Sequence, residues 1–336
     1  MTATAPDVGT AAGILRLGNQ FCDAKALLTA VELDLFAVLD EGPATVPELR
    51  RRLGLHGRGF GDFLGLLTAL GLLRRESDGR FGNAEGASRY LVPGRPGAVG
   101  GFLRGAHLNL YPVYGRLAEA LRTGKPQAQG DFTALLDDPV ALGHFVRMMD
   151  GLTQGLGAEL IAALEGTEYH SLLDVGGCRG NLLGQLLVAR PELEGHLFDL
   201  PQLEPFFREY LAGPVQAGRA VFHPGDFFRD PLPGADVLVF GHILHDWDAQ
   251  QRQELLAKAY RAVNPGGTLL VYDRMLGERS DNTENLVASL NMLLVTDGGG
   301  EYTVAEIGRQ ARIAGFCTVT HRPLADFDTL VICHKD

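Results

Sequence analysis

From Tyr169 to the end of the chain, short apolar runs alternate with helical periods, a pattern that few folds satisfy. Ser171–Val175, His196–Leu200, Arg219–His223, Asp236–Phe240, Thr268–Tyr272, Thr318–His321 and Thr329–Cys333 read as strands. Asn181–Arg190, Ala249–Val263, Asn285–Val295 and Val304–Ala314 read as the helices between them. Strands joined through helices pair in parallel and carry helices on both faces of the sheet, an α/β architecture. Ligands of such sheets sit beyond the carboxyl ends of the strands, so the residues there are the first to weigh.

The N-terminal part has a different rhythm. The first ten residues look frayed, and apolar positions from Ile14 to Leu39 then recur at helical spacing until Gly42-Pro43. Thr45 is placed as an N-cap, with Pro47 and Glu48 in the first turn of a short helix that stops at Gly54. A third helix spans Arg58 to Leu73, and Asp78-Gly79 marks a hairpin turn after it. Three helices and a hairpin form a winged-helix pattern, which raises a ligand-sensing DNA-binding regulator as a rival reading. A recognition helix needs basic and polar side chains. This one offers Arg58 beside Asp62 and is otherwise apolar on more than one face, which suits contact between subunits better. Residues 97 to about 165 read as further helices, with Phe145, Met148 and Met149 on one of them as ordinary core side chains.

Charge supports the same choice. A net charge of -11 argues against a nucleic-acid partner. The stretch Phe60–Leu73 is too short to span a bilayer, and the N-terminus has no secretory pattern, so a cytoplasmic protein without membrane contact is expected. Four scattered cysteines without C-x-x-C spacing argue against a zinc or disulfide framework.

Four strand ends carry candidate chemistry. Asp174-Val175-Gly176-Gly177-Cys178-Arg179-Gly180 follows the first strand, and glycines there let backbone approach a ligand at a helix N-terminus. Asp199-Leu200 ends the second, where an acid can accept both ribose hydroxyls. Asp226 and Phe227 follow the third, suited to an adenine amino group and ring. Gly241-His242-Ile243-Leu244-His245-Asp246-Trp247 follows the fourth. Its two histidines lack a third metal ligand at useful spacing, so no metal is expected.

The ordered set DVGG, FDLP, GDFF, HDWD and NPGG resembles the plant-type, caffeic-acid-like small-molecule O-methyltransferases, including bacterial natural-product tailoring members, over nearly the whole chain. The resemblance implies a Rossmann-like class I methyltransferase sheet behind a mainly helical, winged-helix-like dimerisation domain. It places that domain at 1–105 and the catalytic domain at 106–336, with the Rossmann-like core from about residue 168. It also implies S-adenosylmethionine, converted to S-adenosylhomocysteine, as cofactor. Asp174, Gly176, Gly177, Asp199, Leu200, Asp226, Phe227 and Gly241 would contact that cofactor. His245 matches the general base, with Asp273 and Glu301 orienting it. Met149, Asn291 and Met292 match acceptor-pocket positions, and Phe145 and Tyr111 are added as aromatic neighbours, alongside Phe102 and Tyr114. The implied reaction is methylation of a phenolic hydroxyl on a small aromatic natural-product intermediate by a homodimer. Relatives without the histidine hydroxylate or decarboxylate, and the presence of His245 favours methylation over those outcomes. Cys178 replaces a glycine of the family's loop, and Gly241 replaces a lysine near the adenine.

A phenol's pKa is about 10 and an unperturbed histidine's about 6.5, so complete proton transfer before attack would cost roughly 5 kcal/mol. Proton removal that accompanies methyl transfer, helped by acids beside the imidazole, is the expected course.

Overall fold

The computed structural model describes residues 8–128, 135–153, 155–277 and 282–336. Residues 1–7 of the stretch expected to be frayed lie outside them. The chain forms two compact units, Met1–Asn109 and Leu110–Asp336.

In the first unit the helical stretch expected over Ala11–Leu39 is two helices, Ala11–Glu32 and Leu35–Asp40. The break falls at Asp34, whose left-handed φ of 53° no helix interior permits. Thr45 caps the next helix, Val46–Leu53, through a reciprocal capping box with Glu48, and Gly54 ends it in the left-handed conformation. Helix Phe60–Ala69 and the antiparallel pair β1 (Leu73–Arg75) and β2 (Phe81–Asn83) complete the three-helix-and-hairpin pattern. Its core includes Leu35, Phe36, Leu49, Leu64 and Leu67. The first helix leaves Ile14, Leu15, Leu17 and Phe21 half or more exposed.

The second unit is built on seven strands: β3 (Ser171–Val175), β4 (Glu194–Asp199), β5 (Ala220–Pro224), β6 (Ala235–Gly241), β7 (Val263–Asp273), β8 (Thr318–Leu324) and β9 (Asp328–His334). Their order is β5-β4-β3-β6-β7-β9-β8. The first five are parallel, but β9 runs antiparallel to both β7 and β8, so the sheet is mixed rather than wholly parallel. Three residues separate β8 from β9, too few for a helical crossover, so that pair can only be a hairpin. The central strands read as unbroken apolar runs because helices cover both faces, and Leu173, Val237, Val239, Leu270 and Val271 are fully buried. Each such side chain contributes about 1.5–3 kcal/mol of burial.

Chain order reverses between β3 and β6. From β3 the chain winds outward to β4 and β5, then returns to β6 and winds the other way. The crevice outside the carboxyl ends of those two strands is where such sheets bind ligands. Among the described residues no helix is long and apolar enough to cross a membrane.

Candidate active site

Two clusters form at the strand ends. At the ends of β3 and β4, the chain after Val175 turns through Gly176 (φ 76°) and Cys178 (φ 60°), and Gly180 at φ 81° admits it to helix Asn181–Ala189. Gly176 N–H donates to Phe198 O at 2.8 Å, which holds the loop on β4. A Cβ at Gly176 would lie 2.3 Å from Ile243 Cδ1, and one at Gly177 2.2 Å from Asp174 Oδ2. Gly176 is demanded by its φ, and a Cβ at either glycine would have to displace the end of the Ile243 or Asp174 side chain.

Asp199 accepts from Cys178 N–H at 2.8 Å and Leu200 N–H at 2.7 Å, so its carboxylate bridges the two strand ends. Burial raises it to about 6, against those two N–H groups, which lower it. Burial, reinforced by the charge of Asp199, raises Asp174 to about 7, and Asp174 Oδ2 has no hydrogen-bond partner among the described residues. After β5, Asp226 accepts from Phe228 N–H at 2.9 Å and pairs with Arg229 at 3.3 Å. Phe227 meets Trp247 edge to face, ring centres 5.8 Å apart.

Gly241 ends β6. A Cβ there would come within 2.1 Å of Tyr272 Cζ, the neighbour in register on β7, so a lysine is sterically excluded while Tyr272 stands. This is the physical reason for the departure noted in the sequence.

The second cluster lies beyond β6 and β7. His245 sits on the short turn Leu244–Asp246, immediately before helix Ala249–Ala262, which Asp248 caps in a capping box with Gln251. The histidine is nine-tenths buried, and its Nδ1 lies 2.7 Å from Glu301 Oε1 and 3.4 Å from Asp273 Oδ1. Asp273 is the last residue of β7 rather than the one after it, and it accepts from the buried Tyr302 hydroxyl. Glu301 is placed from both sides. Its N–H donates to Ser289 Oγ at 3.2 Å, and two residues later Thr303 caps helix Val304–Ala314. Gly300 N–H donates to His245 O at 2.8 Å.

Burial alone would drive His245 down, but the charge of Asp273, the hydrogen bond to Glu301 and the charges of Asp246 and Glu301 outweigh it and raise the imidazole to about 10. Burial raises Asp273 to about 7, against the opposing pull of His245. The acids thus move the imidazole toward a phenol's range, against the burial that opposes them.

His242 joins the cluster with φ 53°, its Nε2 3.3 Å from Asp328 and its Nδ1 3.9 Å from Asp273. Ligand atoms of His242, His245 and Asp273 lie within 4.8 Å of one another, so the third partner that sequence spacing did not supply is supplied by the fold. His245 Nδ1 is engaged with Glu301 and Asp273 Oδ2 with Tyr302, while Asp273 Oδ1 and His242 Nε2 have no hydrogen-bond partner among the described residues.

The acceptor-side expectations lie on other elements. Asn291 and Met292 are on helix Thr283–Val295, and Asn291 Oδ1 accepts from the Tyr114 hydroxyl at 2.9 Å. Ser289 and Asn285 tie that helix to Glu301 and to Met275 O. Phe145 and Met149 are one turn apart on helix Pro139–Thr153, with Phe145 packed on the core. Tyr111 opens the short helix Tyr111–Tyr114 and is half-buried. Met149, Phe145, Tyr111 and Met292 thus stand on elements other than the turn that carries His245. Asp246 follows His245 directly in the chain and stands in the HDWD motif. Tyr272, Tyr302 and Asp328, to which sequence reasoning gave no role, join the cluster through His242 and Asp273 by long-range pairing.

A glycine-walled loop, a carboxylate at the end of the second strand and a buried histidine between acids fit a class I methyltransferase, and the comparisons agree. Residues 114–317 match the O-methyltransferase domain and residues 15–93 the O-methyltransferase dimerisation domain, so the chain belongs to the O-methyltransferase family. It is an S-adenosylmethionine-dependent O-methyltransferase. It is 46% identical over 325 residues to the tetracenomycin polyketide synthesis 8-O-methyl transferase TcmO of Streptomyces glaucescens, covering 96% of each chain. To the N,N-dimethyltransferase OxyT of Streptomyces rimosus it is 36% identical, over 94% of this chain and 93% of the relative. Human N-acetylserotonin methyltransferase, solved in complex with S-adenosylmethionine, superposes with a TM-score of 0.90 at 26% identity, over 98% of this chain and 99% of the other.

Proposed function

We propose that the acceptor is a phenolic hydroxyl on a flat aromatic intermediate of polyketide type, and that His245 is its general base. The observation that carries this reading is the pairing of His245 with Glu301 at 2.7 Å and Asp273 at 3.4 Å, which raises the imidazole's proton affinity toward that of a phenol. Asp199 would hold the ribose, with Gly176 and Gly177 presenting backbone to the rest of the cofactor and Asp226 and Phe227 framing its adenine. The orphan oxygen of Asp174 is an acceptor beneath that loop. Bound S-adenosylmethionine supplies an electrophilic methyl group on a positively charged sulfur. A positive charge beside His245 lowers its hold on a proton, so the imidazole becomes available when the cofactor is in place. His245 then takes the phenolic proton as the oxygen attacks, and Glu301 and Asp273 stabilise the imidazolium that results. Phe145, Met149, Asn291 and Met292 would shape the acceptor pocket with Tyr111 and Tyr114.

The exposed apolar side chains Ile14, Leu15, Leu17 and Phe21, lying in or next to the dimerisation match, support a homodimer built through the first unit.

The test is product mass. Purified protein, S-adenosylmethionine and a polyphenol such as 1,3-dihydroxynaphthalene or a hydroxylated anthraquinone should give a product heavier by one methylene, with the new methyl on oxygen. The similarity to OxyT makes an arylamine the control acceptor. Methylation of the amine with none of the phenols would overturn the phenolic assignment, and a hydroxylated or decarboxylated product would overturn methyl transfer.

A further inference from the structure

Arg179 is the one charged side chain in the loop Gly176–Gly180 and has no part in the reaction described above. It reaches across 29 positions of sequence to helix Pro139–Thr153, where its Nε donates to Asp150 Oδ1 at 3.0 Å and its Nη2 makes a second, short contact with Asp150 Oδ2. The two-point geometry fixes the direction of the guanidinium as well as its distance. Its Cζ also lies 4.4 Å from the centre of the Tyr210 ring. Asp150 is 14% exposed and Arg179 29%, so the pair is largely shielded from solvent. Burial raises the Asp150 carboxyl, against hydrogen bonds from Arg179 and Asn181 that hold it charged. A second tie runs beside the first: Gln185 Nε2 donates to Thr153 O at 3.0 Å, and Gly157 N–H donates to Gln185 Oε1 at 3.1 Å.

Asp150 directly follows Met149, and Cys178, whose N–H is bound to Asp199, directly precedes Arg179. One end of the ion pair thus adjoins the residue bound to the proposed ribose anchor, and the other adjoins the proposed acceptor-side methionine. From this geometry we infer that Arg179 and Asp150 are positioning residues that couple the cofactor loop to helix Pro139–Thr153, so that cofactor binding sets that helix for the acceptor. A ligand that fixes the loop fixes Arg179, and the bidentate pair passes the constraint to Asp150 and its helix. By linkage, acceptor and cofactor then raise each other's affinity, and couplings of this kind amount to about 5–150-fold. The inference rests on the site assignments proposed above and adds the coupling between them.

The experiment is hydrogen exchange on the full-length protein, with and without S-adenosylhomocysteine. In wild type, saturation should slow exchange about tenfold over residues 139–153. In Asp150→Asn that slowing should vanish, while calorimetric affinity for S-adenosylhomocysteine stays within about threefold of wild type. The KM for 1,3-dihydroxynaphthalene should rise about tenfold with kcat within about twofold, a split that mere loss of stability would not produce. Asp150→Glu, which keeps the charge, should recover part of the slowing. Wild-type slowing in Asp150→Asn would overturn the coupling, as would absence of slowing in a wild type that binds the ligand. Should Asp150→Asn fail to fold, the double exchange Asp150→Arg with Arg179→Asp decides. Slowing of 139–153 in that variant supports the pair, and its absence in a folded, ligand-binding double variant overturns it. Failure of wild type to bind S-adenosylhomocysteine at all is a distinct result and would remove the cofactor-loop assignment itself.

Discussion

The two clusters at the strand ends are built on opposite principles. Around β3, β4 and β6, specificity is steric: Gly176, Gly177 and Gly241 each stand where a Cβ would lie 2.1–2.3 Å from a neighbouring atom. Beyond β6 and β7 it is electrostatic, with Asp246, Asp273, Glu301 and Asp328 gathered about two histidines. In the first cluster an added atom must displace a neighbouring side chain. Burial raises acids in both, Asp174 and Asp199 in the first and Asp273 in the second, but only the second sets opposite charges against one another around its histidines. Substitutions should therefore act differently: those of the glycines at every pH, those of the charged groups about the histidines mainly by moving a titration.

Among substitutions on the cofactor side, the largest effect is expected at Asp199. Asp199→Ala should weaken S-adenosylhomocysteine by about 10²-fold or more, because two hydrogen bonds to a charged group are lost. Calorimetry reads this directly, and unchanged affinity would remove Asp199 from the ribose site. Gly241→Ala should cost about 1–3 kcal/mol of stability from overpacking against Tyr272, to the same extent at pH 6 and pH 9. A pH-dependent loss in denaturant titrations would blur the division between the clusters.

In the charged cluster, Glu301→Gln removes a hydrogen-bonding negative charge that raises His245. The rate at saturating cofactor should climb about tenfold per pH unit to a plateau, and in the variant the midpoint of that climb should move to lower pH by about one unit. A midpoint that stays in place would detach Glu301 from the titration. The smallest effect belongs to Asp174, whose folded-state pKa is raised to about 7 from 3.8. The folded form holds that proton more tightly than the unfolded chain, so the stability due to this group is fullest in acid and falls as pH rises from about 4 to about 7. Asp174→Asn should flatten that slope, measured as the thermal midpoint against pH. An unchanged slope would mean that the carboxyl titrates normally.

The sequence-readable part of the fold was what repeats locally. Strand and helix periods, the Thr45 cap and the turns at Gly54 and Asp78-Gly79 depend on neighbours within a few residues. The antiparallel insertion of β9 was not legible, because an apolar strand carries no mark of its partner's direction. The helix break at Asp34 was hidden for a related reason. Apolar spacing runs straight through it, and the left-handed residue is an ordinary aspartate in sequence. In the site, Gly176, Gly177, Asp199 and His245 stood out because ordered motifs carry them. His242 was weighed as half of a metal pair and set aside for want of a partner. Asp273 reaches it through the pairing of β6 with β7, 31 residues further along the sheet register, where spacing along the chain says nothing. Arg179 and Asp150 escaped for the same cause.

The most direct test of the account is His245→Ala, assayed for single-turnover methyl transfer to a phenol together with affinity for S-adenosylhomocysteine. The account predicts a rate lower by about 10²–10⁴-fold with cofactor affinity nearly unchanged, since the base serves the charged cluster alone. A variant that transfers methyl at the wild-type rate would contradict it and leave the buried histidine a structural partner of Glu301.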